Sequence, residues 1–166
     1  MNTLGLDTAT PSTAVAVARA DGWLREARDE VAPGQRPAHA QRLLVLAAEL
    51  LEAAQIGWAQ IGRVAVGVGP GGYTGLRIGL ASAHGIALAH GAQLVGVGTL
   101  RALAEPVTGR SVAGVLDARR DLAQPLGGFG VDLPAHREVV VRVDGPVLRG
   151  QIADMAERGV DVVVLA

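Results

Sequence analysis

The fold is decided by residues 64–79, which read VAVGVGPGGYTGLRIG. Here an apolar strand runs into a loop with five glycines and one proline in nine residues, and the loop opens directly onto a helix. Glycine has no side chain, so a backbone rich in it can approach a neighbour unusually closely. We therefore expect this loop to contact a phosphate group, a neighbouring helix or a partner protein.

The segments on either side of this stretch predict a mixed sheet. Strands over residues 4–7, 13–19 and 23–31 come first, and Asp21-Gly22 is a strong hairpin signal, so we expect these strands to pair antiparallel. Helices and strands then alternate. The helices are predicted over residues 38–54 and 75–90 and from Thr99, and the strands over residues 64–68, 93–97 and 112–116.

This βββαβαβα order, with hairpin strands before right-handed crossovers, predicts an α/β domain of the ribonuclease H-like class shared by actin, Hsp70 and sugar kinases. We assign residues 1–105 to that domain and residues 106–166 to a short second lobe, which is either native or curtailed. In the second lobe we predict strands over residues 138–143 and 160–165 and a helix over residues 148–158.

Composition excludes several functions. The net charge of −1 argues against a broad electrostatic surface for nucleic acid or acidic membranes. The chain has no cysteine, and all 15 basic residues are arginine, which excludes thiolate chemistry, Schiff-base lysines and the P-loop lysine. The first residues lack the pattern of a signal peptide, and the charged and glycine-rich helix over residues 75–90 argues against a membrane span. We expect a cytoplasmic protein.

The glycine loop resembles two nucleotide-binding motifs without satisfying either. Gly67–Gly72 fits G-x-G-x-x-G, but three hairpin strands precede it and no acidic residue lies between Glu52 and Glu105. Pro70 also removes one amide from a phosphate cradle. A Walker A loop fails because no lysine follows the glycines.

Asp7, at the end of the first strand, is a further candidate because hydroxyl residues follow it. In actin-like ATPases an acid at this place holds magnesium-bound water, whereas the same residues also form simple Asx turns. The candidate anion or nucleotide contacts are Asp7, Thr8, Gly71, Gly72, Thr74 and Arg77. The four histidines show no metal-binding spacing, so we predict no metal site. His39, near the start of the first predicted helix, is expected to be a surface or capping residue.

Arg77 and the small residues around it suggest a contact. With Thr74 as N-cap, Arg77 falls in the first helical turn, where the helix dipole disfavours a cation. We therefore expect a carboxylate of this chain, a carboxylate of a partner or a bound anion beside it. Small residues form two ridges on the same helix, so that one can pack on the sheet and leave the other for a neighbour. The ridges are Gly75 with Gly79, and Ala81, Gly85 and Ala89.

Together these segments resemble the bacterial TsaB (YeaZ) family over residues 2–120. The segments are LGLDTATPSTAVAV, HAQRLLVLAAELLEAA, VAVGVGPGGYTGLRIGLASAHGIALAHG, LVGVGTLRALA and LDARR. The chain departs from the family at Gly72-Tyr73, where Ser-Phe is usual, and in its short second lobe. The resemblance implies a non-catalytic subunit that supports formation of N6-threonylcarbamoyladenosine at position 37 of tRNA.

The resemblance also implies partners and a docking surface. The partners are a TsaD-type catalytic subunit, a TsaE-type ATPase, a second copy of the chain and, indirectly, tRNA. The contact is expected on the two helices of the first domain, at Leu43, Leu46, Leu50, Gly75, Gly79 and Ala83. No catalytic residue or cofactor is assigned to this chain, and ATP is expected only at the level of the complex. The alternative is a free-standing actin-like ATPase or kinase that uses Asp7.

Overall fold

A computed structural model of the chain describes residues 1–32, 35–104, 112–116, 141–142 and 161–165. The chain divides into two compact units, Met1–Thr99 and Leu100–Ala166. The predicted domain boundary after residue 105 and the predicted helix over residues 148–158 lie outside the described residues.

The first unit is built on a five-stranded mixed sheet. Strands β1 (Asn2–Asp7), β2 (Thr13–Ala18) and β3 (Leu24–Asp29) pair antiparallel in sequence order. Strands β4 (Ile61–Gly67) and β5 (Gln93–Val97) extend the sheet on the other side of β1 in parallel. The order β3-β2-β1-β4-β5 confirms the predicted mixed sheet with hairpin strands first.

The β2–β3 hairpin has the predicted tight turn. Gly22 adopts a φ of 93°, a conformation that favours glycine, and the Trp23 N–H donates to Asp21 Oδ1 at 3.2 Å. This bond is the largest influence that holds the pKa of Asp21 below its usual range, and the Arg19 guanidinium, which pairs with the same carboxylate, adds to it.

Two helices pack on one face of the sheet. Helix α1 (His39–Ala53) packs against β2 and β3, α2 (Tyr73–His90) packs against β4, β1 and β5, and the two helices touch each other. Helix α3 (Thr99–Ala104) follows β5. The structure adds a 3₁₀ turn at Trp58–Gln60 that periodicity did not predict, because three residues are too short to show one. Helix α2 ends at Gly91, whose φ of 63° is that of a left-handed C-cap.

The core of the first unit lies between the sheet and these two helices. Among the described residues, its buried members are all aliphatic and lie within residues 4–87. Its most deeply buried large side chains, all below 2% exposed, are Leu4, Val15, Val17, Leu43 and Val64. Burial alternates along both strands, because Leu4 and Leu6 on β1 and Val15 and Val17 on β2 enter this core.

The described strands of the second unit form a three-stranded parallel sheet. Strand β6 (Val112–Leu116) lies between β7 (Val141–Arg142) and β8 (Asp161–Leu165). All three strands coincide with predicted ones, although β7 is described over only two of the six residues predicted. Among the described residues of the whole chain, no helix is long and apolar enough to cross a membrane.

Candidate functional site

The carboxyl end of β1 meets the glycine loop and the start of α2. The turn after β1 enters the space that these glycines leave open. A Cβ built on Gly71 would overlap the carbonyl oxygen of Ala9, and one built on Gly75 would overlap that of Thr8. A Cβ on Gly79 would lie 2.5 Å from Thr8 Oγ1. The loop therefore encloses the β1–β2 turn of its own chain.

Hydrogen bonds fix this arrangement. The Thr8 hydroxyl donates to the carbonyl oxygen of Gly75 at 2.7 Å, and the Gly72 N–H donates to the carbonyl oxygen of Ala9 at 2.7 Å. Thr8 is 2% exposed. Of the predicted anion contacts, Thr8 and Gly72 thus donate these hydrogen bonds to acceptors within the chain. Gly71, Thr74 and Arg77 are exposed.

Asp7 is a half-buried carboxylate at this edge of the sheet. Its Oδ1 accepts the Ala9 N–H at 2.7 Å, and its other oxygen lies directly over Gly67, where any Cβ would overlap it. Burial raises the pKa of Asp7, and the Ala9 N–H, His39 and Arg28 offset only part of this. No described residue forms a salt bridge with Asp7 within 4.0 Å. The Asx-turn interpretation is confirmed by the Ala9 bond.

His39 belongs to the same edge, although the sequence indicated only a surface or capping position. The structure corrects this, because His39 is 6% exposed and its Nδ1 lies 2.9 Å from the Thr13 hydroxyl. Burial lowers the pKa of His39, with Asp7 and Asp29 acting in the opposite direction. Its Nε2 faces Gly75 on α2. The sequence did carry a signal for this buried position. His39 is a polar residue in the first turn of an amphipathic helix, and it lies on the apolar stripe of that helix.

Helix α2 begins earlier than predicted. Its N-cap is Gly72 rather than Thr74, because the Leu76 N–H already donates to the carbonyl oxygen of Gly72 at 2.9 Å. Arg77 is therefore the fifth residue of the helix and lies beyond the first turn. Its guanidinium carbon lies 5.4 Å from the centre of the Tyr73 ring, which is a cation–π contact.

The six residues predicted to bind a partner are core residues in the structure. Each is buried within the first unit. They are Leu43, Leu46, Leu50, Gly75, Gly79 and Ala83. The ridge that begins at Gly75 packs on the turn after β1, because glycine allows the helix backbone to approach that turn closely.

The opposite sides of α1 and α2 form an exposed apolar surface, which we call the outer helix face. Leu88 is 79% exposed and Tyr73 is 72% exposed. The second small-residue ridge lies on this side, and a Cβ built on Gly85 would meet no atom within 4 Å. The large apolar members of the outer helix face are Leu44, Val45, Tyr73, Leu80 and Leu88.

The site holds a carboxylate, an imidazole and two hydroxyls, and both hydroxyls are hydrogen-bonded within the chain. No group of three histidine, aspartate or glutamate side chains in the described part of the chain is placed to hold a metal ion. The exposed features are instead the apolar outer helix face and Arg77, which are suited to contact with another macromolecule.

Comparison with known proteins finds similarity to proteins of tRNA modification. A family model described as "TsaD: tRNA N6-adenosine threonylcarbamoyltransferase" matches residues 32–124. The tRNA threonylcarbamoyladenosine biosynthesis protein TsaB of Escherichia coli is 36% identical over 105 residues, which are 63% of this chain and 43% of that protein. An uncharacterised protein of Mycobacterium tuberculosis is 37% identical over 122 residues, 70% of this chain and 54% of that protein.

A solved structure from the YeaZ family also matches the chain. YeaZ from Pseudomonas aeruginosa superposes with a TM-score of 0.64 at 32% identity, over 72% of this chain and 55% of that one. The chain thus spans about half the length of the curated relatives it matches.

Proposed function

Since the chain belongs to the TsaB (YeaZ) family, we propose that it is a non-catalytic accessory subunit in the formation of N6-threonylcarbamoyladenosine at position 37 of tRNA. It docks a TsaD-type catalytic subunit through the outer helix face and acts in the cytoplasm, where tRNA is modified.

The outer helix face is the observation that carries this proposal. Five large apolar side chains, each at least 39% exposed, lie on two adjacent helices of one unit. An exposed apolar cluster of this kind is typical of a protein-binding surface. The buried residues of the same helices fix that surface on the sheet, so the contact predicted for these helices moves from their inner to their outer side.

Two further partners belong to the proposal. A TsaE-type ATPase joins the docked pair and brings ATP to the complex, and tRNA is reached through the catalytic subunit. A second copy of this chain can occupy the outer helix face when the catalytic subunit is absent, so the two associations compete for one surface.

The docking is tested by measuring association with the TsaD-type subunit of the same organism. The contact should bury about 1,200–2,000 Å² in total. We expect Leu88→Glu to weaken binding by about tenfold or more, because it places a charge at the most exposed large apolar side chain of this face. Leu24→Glu is the matched control, since Leu24 is also exposed, at 67%, but lies on β3.

Equal binding by both variants and the unchanged chain contradicts docking through this face. Modification of tRNA in a reconstituted system, with and without the chain, tests the function itself. Full modification without the chain contradicts an accessory role.

The half-buried carboxylate of Asp7 favours the second candidate, an actin-like ATPase or kinase. Nucleotide hydrolysis by the purified chain that disappears in Asp7→Ala would support it. Absence of hydrolysis by the unchanged chain, with and without Mg²⁺, rejects it.

A further inference from the structure

Arg77 places a positive charge among the apolar side chains of the outer helix face. It is exposed, and it forms none of the salt bridges found among the described residues, which join Arg19 to Asp21, Arg28 to Glu26 and Arg42 to Asp29. The Tyr73 ring lies under its guanidinium and holds it in place. A guanidinium stacked in this way keeps the donors at its edge available for a planar acceptor.

The surrounding sequence offers Arg77 no acidic partner. Residues 53–104 contain no aspartate or glutamate, and the first turn of α2 carries no acidic residue. Tyr73 lies in the first turn of α2, where the helix dipole favours a negative charge, whereas Arg77 lies beyond that turn. A carboxylate brought by another molecule would meet the guanidinium of Arg77.

The neighbours of Arg77 indicate which kind of molecule brings that charge. Leu80 and Leu88 are exposed on the same side of α2, and no second arginine lies on that helix. On α1 the exposed charges are Glu49 and Glu52. A nucleic acid selects an array of cations, and these glutamates repel it. A protein surface that combines an apolar centre with a carboxylate fits both features.

We propose that the partner that docks on the outer helix face presents an aspartate or glutamate to Arg77, and that this ion pair selects the partner. The inference rests on the docking proposed above and adds the chemistry of the partner's surface. On docking, the surrounding leucines exclude water from the pair, so a partner with a neutral or basic residue at this place leaves a buried, unpaired guanidinium.

The test compares charge variants of the full chain in binding to the TsaD-type subunit. We expect Arg77→Glu to weaken association by about 30-fold or more. Arg25→Glu is the matched control, since Arg25 is also exposed and stacks on an aromatic ring, Trp23, with 5.7 Å to its centre, but lies on β3. Circular dichroism and urea unfolding establish that both variants are folded.

A charge swap identifies the acid. Each aspartate and glutamate on the docking surface of the TsaD-type subunit is changed to arginine, and one such variant should restore binding to Arg77→Glu while binding the unchanged chain poorly. Failure of every swap to restore binding overturns the ion pair.

Failure of this inference is distinguishable from failure of the docking. If the unchanged chain binds, Leu88→Glu does not and Arg77→Glu binds as well as the control, the docking stands and the ion pair is overturned. If the unchanged chain does not bind, both are overturned. If Arg77→Glu instead loses affinity for tRNA and keeps its affinity for the protein subunit, Arg77 is an RNA contact and the inference is wrong.

Discussion

At the scale of single residues, glycines on one helix have opposite roles. Gly75 and Gly79 face the β1–β2 turn, whereas Gly85 faces open space. We expect Gly75→Ala to lower the free energy of unfolding by about 1–3 kcal/mol, because its Cβ would overlap the carbonyl oxygen of Thr8. Gly85→Ala should raise it by about 0.5–1 kcal/mol through helix propensity. Urea unfolding of the two variants measures both changes, and equal effects would contradict the close packing.

We expect Asp7 to reduce stability at neutral pH. Its raised pKa means that the folded chain holds the proton more tightly than the unfolded chain, whose carboxyl titrates near 3.8. The resulting stabilisation is fully present below pH 3.8 and is lost as the pH rises through the raised pKa of the folded state. Asp7→Asn should therefore raise the urea midpoint at pH 7, with a gain that shrinks towards pH 4.

The matched control for Asp7 is Asp21→Asn. The pKa of Asp21 is lowered, so its ionised form contributes stability above pH 3.8, and its loss should lower the midpoint at pH 7. A lower midpoint in both variants would contradict the role of burial at Asp7.

His39 gives stability the opposite pH dependence. Its folded pKa lies below the usual 6.5, so the unfolded chain takes up a proton first as the pH falls. The stabilisation is present above pH 6.5 and is lost as the pH falls through the folded pKa. We expect the free energy of unfolding to fall between pH 7.5 and 5.5, and His39→Gln to reduce this slope. His84→Gln, an exposed site on α2, should leave it unchanged.

At the scale of elements, periodicity predicted which segments become helices. It did not predict which residues occupy the space beside the glycines of those helices. The alternation of apolar residues and the positions of the glycines predicted the strands, both long helices and their order. The spacing of Gly75 and Gly79 indicated a close approach, but a pattern of small residues is the same whether a sheet, a turn or a partner comes near. Thr8 fills these gaps from 67 residues away along the chain, and such a contact leaves no local signal.

Helix α2 starts earlier than predicted because of another contact between residues that are distant along the chain. Thr74 has the chemistry of an N-cap, yet the Gly72 N–H is held by the turn after β1 and the helix begins there. Tertiary contact overrides local capping preference in this case. The sequence did not indicate which residues form the outer helix face, because leucines at helical spacing predict a buried stripe equally well on either side of a helix.

At the scale of the whole molecule, the first unit has a hydrophobic core of its own. Among the described residues, every member of the hydrophobic cluster, including the partly buried ones, lies between Leu4 and Ala92. We therefore expect a fragment of residues 1–104 to unfold cooperatively in urea and to keep the docking affinity of the full chain. Non-cooperative unfolding would contradict an independent first unit, and loss of binding by a folded fragment would assign docking residues to the second.

The insertion of the β1–β2 turn among the glycines also has a consequence for local motion. The first turn of a helix ordinarily frays, and its amides exchange with solvent far faster than those of the core. Here the Thr8 carbonyl and hydroxyl occupy the space at Gly75 and Gly79, so this end of α2 cannot separate without releasing the end of β1. Amide exchange at residues 76–79 should therefore be as slow as in β1 and β4, while the other end of the same helix exchanges quickly.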